Sequence, residues 1–126
     1  MIVMIFEFTV VPERYEEYLG EAARLREHLD KIDGFVSVER FESKTTPGKF
    51  VAIGYFETEE SVTQWRTLPE HRRVQALGRE KWFSDYRLVM ATAIRDYTGT
   101  QRDEAPEDSR RFHDTAPADH LNRKPV

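Results

Sequence analysis

The sequence predicts an α+β fold in which strand, helix, strand, strand, helix and strand follow one another. Three observations carry that prediction. Runs at 2–11, 35–43, 49–57 and from Phe83 or Asp85 to Tyr97 are dense in β-branched and aromatic residues. Between Tyr15 and Ile32 the apolar residues recur at three- and four-residue steps, the period of a helix. The signals Asp33-Gly34, Thr46-Pro47-Gly48 and Thr67-Leu68-Pro69 punctuate the runs as turns or breaks.

The first strand has Val3, Ile5, Glu7, Thr9 and Val11 on one face, and its other face is also apolar, so both faces are expected to be covered. Pro12 ends it and opens a helix, with Glu13, Glu16 and Glu17 near the positive end of the dipole. That helix is expected from about Glu13 to Lys31, with Tyr15, Tyr18, Ala22, Leu25, Leu29 and Ile32 as its apolar stripe. Gly20 costs about 1 kcal/mol against alanine there, which points to close packing. The second strand alternates Phe35, Ser37, Glu39 and Phe41 against Val36, Val38 and Arg40. The third sets Val51, Ile53 and Tyr55 against Phe50, Ala52, Gly54 and Phe56. Thr58 caps the next helix, with Glu59 and Glu60 in its first turn and Val62 and Trp65 on its inner side. Pro69 breaks that helix and starts another, whose His71, Gln75 and Gly78 or Arg79 recur at helical spacing.

This order is the ferredoxin-like split βαβ arrangement, a four-stranded antiparallel sheet with helices on one face. Apolar residues on the uncovered face imply a second copy of the chain, a homodimer with the sheets face to face. Residues 1–97 are expected to form this domain. Residues 98–126 are polar, proline-containing and poor in apolar residues, and read as a disordered tail or an arm that crosses onto the partner through Phe112 and Leu121. His113 and His120 read as solvated tail residues.

A length of 126 residues fits one domain. A formal charge of −4 argues against nucleic acid as partner. Without cysteine there is no disulfide, thiolate zinc site or cysteine nucleophile. The N-terminus reads as a strand rather than a leader, and no apolar run has the roughly 18 residues of a membrane span, so a soluble, cytoplasmic protein is expected. Gly78-Arg79 lacks the lysine and serine of a phosphate loop, no Gly-x-Ser-x-Gly elbow occurs, and no spacing makes a metal site.

The VVPER exit from the first strand, DKIDGFVSVERFES, VAIGYFETEESVTQW, and PEHRRVQALGR before FSDYRLVMATAIRDY together resemble the antibiotic biosynthesis monooxygenase family of dimeric α/β barrels, over about residues 1–97. The resemblance implies a small hydrophobic pocket between helices and sheet in each subunit. One branch of the family oxygenates polyketide-derived anthrones with molecular oxygen and no cofactor, using an asparagine and a tryptophan with tyrosine and arginine support. Trp65 matches the tryptophan in context, and Tyr86 and Arg79 are candidates for the supports. The asparagine has no match, because Asn122 in the tail is the only one in the chain. The haem-degrading branch places its iron-binding histidine ten residues after the tryptophan, where this chain has Gln75; His71 falls six after.

His71 falls in the first turn of its helix, where the dipole disfavours the imidazolium. As a neutral imidazole it can serve as general base toward a phenolic or enolic substrate; the alternative is a surface residue near a helix start. Arg79 or Arg72 can hold the resulting oxyanion. Trp65, Phe83 and Tyr86 would form planar walls, and Trp65 can equally be core. Glu7 is a second candidate base if buried, or else an ion-pair partner of Arg40 or Arg87. The sequence thus predicts a cofactor-independent monooxygenase for a small planar aromatic or polyketide-like substrate and O2. Haem binding and degradation with His71 as axial ligand, and non-catalytic small-molecule binding, are the alternatives.

Overall fold

The computed structural model describes residues 1–114, 120 and 121. Met1–Thr92 form one compact unit and Ala93–Val126 a second. In the first, β1 (Ile2–Val10), α1 (Tyr15–Leu29), β2 (Phe35–Glu42), β3 (Lys49–Phe56), α2 (Glu59–Thr67), α3 (Pro69–Leu77) and β4 (Phe83–Thr92) follow in order. A 3-10 turn at Pro12–Arg14 leads into α1, and a π-helical turn at Gly78–Trp82 leads from α3 into β4. The strands form one antiparallel sheet in the order β2-β3-β1-β4, the ferredoxin-like topology with its second helix broken in two.

The period-2 alternation of the strands decides what the helices cover. Phe8, Val10, Phe50, Ala52 and Phe56 are buried on one face, against Tyr18, Leu25 and Leu29 of α1, Val62 and Trp65 of α2, and Val74 of α3. Phe8 centres the aromatic part of this core, with Phe6, Tyr18, Phe83 and Phe50 at ring-centroid distances of 4.9, 5.2, 5.2 and 5.7 Å. Trp82 is fully buried and its indole N–H donates to Glu17 at 3.0 Å.

Thr58 caps α2 as expected. Its hydroxyl accepts from the Ser61 backbone N–H at 3.1 Å, and the Ser61 hydroxyl donates back to the Thr58 carbonyl at 2.6 Å. Gly34 turns the chain into β2 at a φ of 93°, and a Cβ there would stand 3.0 Å from the Ser61 Cβ. Only glycine meets both demands.

The structure departs from the sequence reading in several places. Strand β4 ends at Thr92 rather than Tyr97, because Thr92 already pairs with Ile2, the first residue of β1. Past that rung no partner strand remains. Helix α1 is shorter than expected at both ends, beginning at Tyr15 and closing at Leu29. Gly20 is not tightly packed, since a Cβ there would meet only the Arg24 side chain, at 3.8 Å. In the second unit Glu107–His113 form a short helix, α4, where the sequence pattern predicts no element. Its acidic first turn and basic last turn both complement the helix dipole. Arg102 ties that unit together by pairing with Asp114, donating to the Ser109 hydroxyl at 3.0 Å and standing 5.4 Å from the Tyr97 ring. Asn122 lies outside the described residues. Among those described, no helix is long and apolar enough to cross a membrane.

Candidate active site

A cavity of about 390 Å³ opens between the helix-side face of the sheet and α1, α3 and the π-helical turn. Its floor is set by strand register. Arg40 of β2 is opposite Ala52 of β3, Ala52 opposite Phe6 of β1, and Phe6 opposite Leu88 of β4. All four line the cavity, so one rung of the sheet crosses its base. Ala52 keeps that rung low in the middle.

The wall is built where the second helix breaks. Pro69, with no N–H to lose at a helix start, lets α3 leave Leu68 at a new angle. His71 then folds back onto Trp65, the rings stacked with centroids 3.8 Å apart and planes 19° from parallel. Its Nδ1 lies 3.0 Å from the Trp65 carbonyl oxygen. A carbonyl only accepts, so Nδ1 carries the proton and Nε2 keeps its lone pair. The Gln75 amide nitrogen stands 3.4 Å from the same Nδ1 and 3.5 Å from the Arg66 carbonyl, to which it donates. Among the described residues no group bonds Nε2, and no buried side-chain nitrogen or oxygen lacks a partner, so Nε2 is accessible on a residue that lines the cavity. Burial holds the imidazole below its usual pKa, aided by the nearby Arg72 charge and opposed by the Trp65 carbonyl bond. His71 is therefore neutral at pH near 7.

The π-helical turn carries Arg79 into the lining after α3 has carried His71 and Gln75 there. Such wide turns recur at functional sites. Arg79 is exposed at its outer side and forms no ion pair among the described residues. Phe83 fills the space beside Gly78, where an added Cβ would come within 2.6 Å of its ring.

Six of the eight candidates from the sequence, Trp65, His71, Gln75, Arg79, Phe83 and Tyr86, come together around the cavity. Trp65 is both core and wall, being 6% exposed. Two candidates fall elsewhere. Glu7 points to the opposite face of the sheet, beside Val51 and Arg87 in the ladder, and forms no ion pair among the described residues. Arg72 is exposed and donates to the Gln75 side-chain oxygen at 3.2 Å, bracing the wall from outside.

Sequence reasoning missed the facing pair Tyr18 and Arg40. The Arg40 Nε donates to the Tyr18 hydroxyl at 2.9 Å, and its guanidinium lies 5.1 Å from that ring. Of the two arginines the sequence offered as partners of Glu7, Arg40 is excluded, since the two residues lie on opposite faces. Burial raises the Tyr18 pKa, partly offset by Arg40, so the phenol keeps its proton and can donate it. The signal was present, as Arg40 shares a strand face with Val38 and Tyr18 lies in the α1 stripe.

The fold is a small ferredoxin-like α+β domain with a cavity between helices and sheet. A family profile described as antibiotic biosynthesis monooxygenase matches residues 1–77, and the chain belongs to that family. A curated relative from Pyricularia oryzae, named jasmonate monooxygenase ABM, is 35% identical over 88 residues. The match covers 70% of this chain and 41% of that protein, so the chain spans less than half of its relative's length. An antibiotic biosynthesis monooxygenase crystal structure superposes with a TM-score of 0.65 at 19% identity, covering 75% of this chain and 99% of the other. SnoaB from Streptomyces nogalater, a cofactor-independent oxygenase solved as a point mutant, gives a TM-score of 0.63 at 18% identity, covering 75% and 94%. These structural likenesses show the fold.

Proposed function

We propose that this chain is a cofactor-independent monooxygenase that uses O2 on a small, ring-bearing, apolar substrate. The observation that carries this reading is the His71–Trp65 arrangement, a neutral imidazole on the cavity lining whose protonated nitrogen is tied to a carbonyl and whose other nitrogen is unbonded among the described residues. Deprotonation of an activated C–H by Nε2 leaves a carbanion able to reduce O2. The peroxide that forms the new C–O bond takes back the proton from His71. It then loses water as the second C–H proton leaves and the O–O bond breaks. A methylene and O2 thus become a ketone and water, with no external reductant. Arg79 offsets the negative charge of the carbanion and peroxide. Trp65, Phe83 and Tyr86 supply flat walls, and an anthrone or a related polyketide is a suitable substrate. The relative named for jasmonate widens the choice to small alicyclic ketones.

The haem alternative fits less well. Gln75 stands where the haem-degrading branch has its iron-binding histidine, and His71 falls four residues earlier. The active assembly on this reading is a homodimer joined through the sheet face opposite the cavity, where Val3, Ile5, Val51, Ile53 and Val89 are half-buried within one chain.

Oxygen uptake with an anthrone tests the reading. The wild type should consume O2, and His71→Ala, with its far-ultraviolet circular dichroism intact, should be slower by about 10²–10⁴-fold. An unchanged rate in His71→Ala removes the base; no uptake by the wild type with any planar phenol or anthrone removes the oxygenase.

A further inference from the structure

We infer that the cavity selects an apolar carboxylic acid and that Arg40 is the anchor for its carboxylate. The inference rests on reading the cavity as the binding site. The chain carries 23 acidic residues against 19 Lys and Arg. The cavity lining reverses that balance, with Arg26, Arg40 and Arg79 and no carboxylate among the described residues. Arg26 is already engaged, pairing with Asp30 at 2.8 Å and donating to the Val38 carbonyl at 3.4 Å. Arg40 is held differently. Its Nε is committed to the Tyr18 hydroxyl and its plane is set near the Tyr18 ring, while no carboxylate among the described residues pairs with its two terminal nitrogens. A guanidinium restrained through Nε, with no partner at either end among the described residues, is prepared for a two-point carboxylate contact.

The floor indicates the rest of the ligand. Along the rung Arg40–Ala52–Phe6–Leu88 only the first residue is charged. Three strand spacings of about 4.8 Å make that rung roughly 14 Å long. A ligand lying along it would place its carboxylate at Arg40 on the β2 edge and its apolar body over Ala52 and Phe6 toward Leu88. The carboxylate in this binding mode is a handle, not the reacting group. Arg79 remains for the charge that develops during reaction.

Calorimetric titration with biphenyl-4-acetate and its neutral amide tests this on the full chain. The acid should bind at least tenfold more tightly than the amide, and added sodium chloride should weaken only the acid. Arg40→Gln should abolish the preference, so that acid and amide bind alike, while Arg40→Lys should restore part of it. Equal binding of acid and amide to the wild type overturns the inference and leaves the cavity reading standing. A preference that survives Arg40→Gln and disappears in Arg79→Gln overturns the choice of anchor. Binding of neither ligand overturns both the inference and the reading beneath it.

Discussion

At the scale of single residues, His71, the proposed base, is held neutral with no carboxylate partner among the described residues. The Trp65 carbonyl chooses the tautomer, and burial keeps the ring neutral. The same burial ties stability to pH. The folded-state pKa lies below the unfolded value of about 6.5, so between the two the unfolded chain holds a proton that the folded chain does not. The contribution is therefore complete above about pH 6.5 and is lost as pH falls through the folded value. Urea midpoints measured from about pH 8 down to about pH 5 should fall more steeply for the wild type than for His71→Gln. Parallel slopes would remove the buried, neutral imidazole. The acid limb of the kcat/KM profile should likewise lie below the ordinary histidine range.

At the scale of elements, the π-helical turn and β4 depend on one missing side chain. A Cβ on Gly78 would sit 2.6 Å from Phe83 Cε2 and 3.0 Å from Cδ2. Phe83 cannot easily yield, with Phe8, Phe6 and Tyr18 packed against it at 5.2, 5.5 and 5.6 Å. Gly78→Ala should thus cost about 1–3 kcal/mol by overpacking. Gly20→Ala, in the open part of α1, should stabilise by about 0.4–1 kcal/mol. Chemical denaturation of the two variants compares them directly, and equal effects would contradict the packing described. The elements themselves were legible in the sequence because their periods, caps and breakers agree: Thr58, Pro69 and Asp33-Gly34 all act where the pattern places them. What could not be read was which strand face meets the helices. Both faces of β1 are apolar, so alternation grouped Glu7 correctly with Val3 and Ile5 but could not say that this group faces away from the cavity. The α3 candidates needed only helical spacing. Tyr18 and Arg40 needed the docking of α1 against β2, across 22 residues of sequence.

At the scale of the whole molecule, the proposed dimer follows from what one chain leaves uncovered. Beside the half-buried aliphatics of the outer sheet face, Tyr55 is 37% and Phe41 45% exposed. A face of that composition, related to itself by a two-fold axis, needs no second binding surface to close. Sedimentation should show a dimer for the wild type and a monomer for Ile53→Lys, whose charge would be buried at the centre of the pairing. A monomeric wild type would overturn the arrangement.

The stacking of His71 on Trp65 also makes the protein its own indicator. An imidazolium held 3.8 Å over an indole draws on the ring's π electrons as a neutral imidazole does not. Protonation of His71 should therefore quench the light emitted by Trp65, while Trp82, sealed in the core against Glu17, supplies a steady background. The ionisation of the proposed base could then be followed by intrinsic fluorescence, with no substrate in the cuvette.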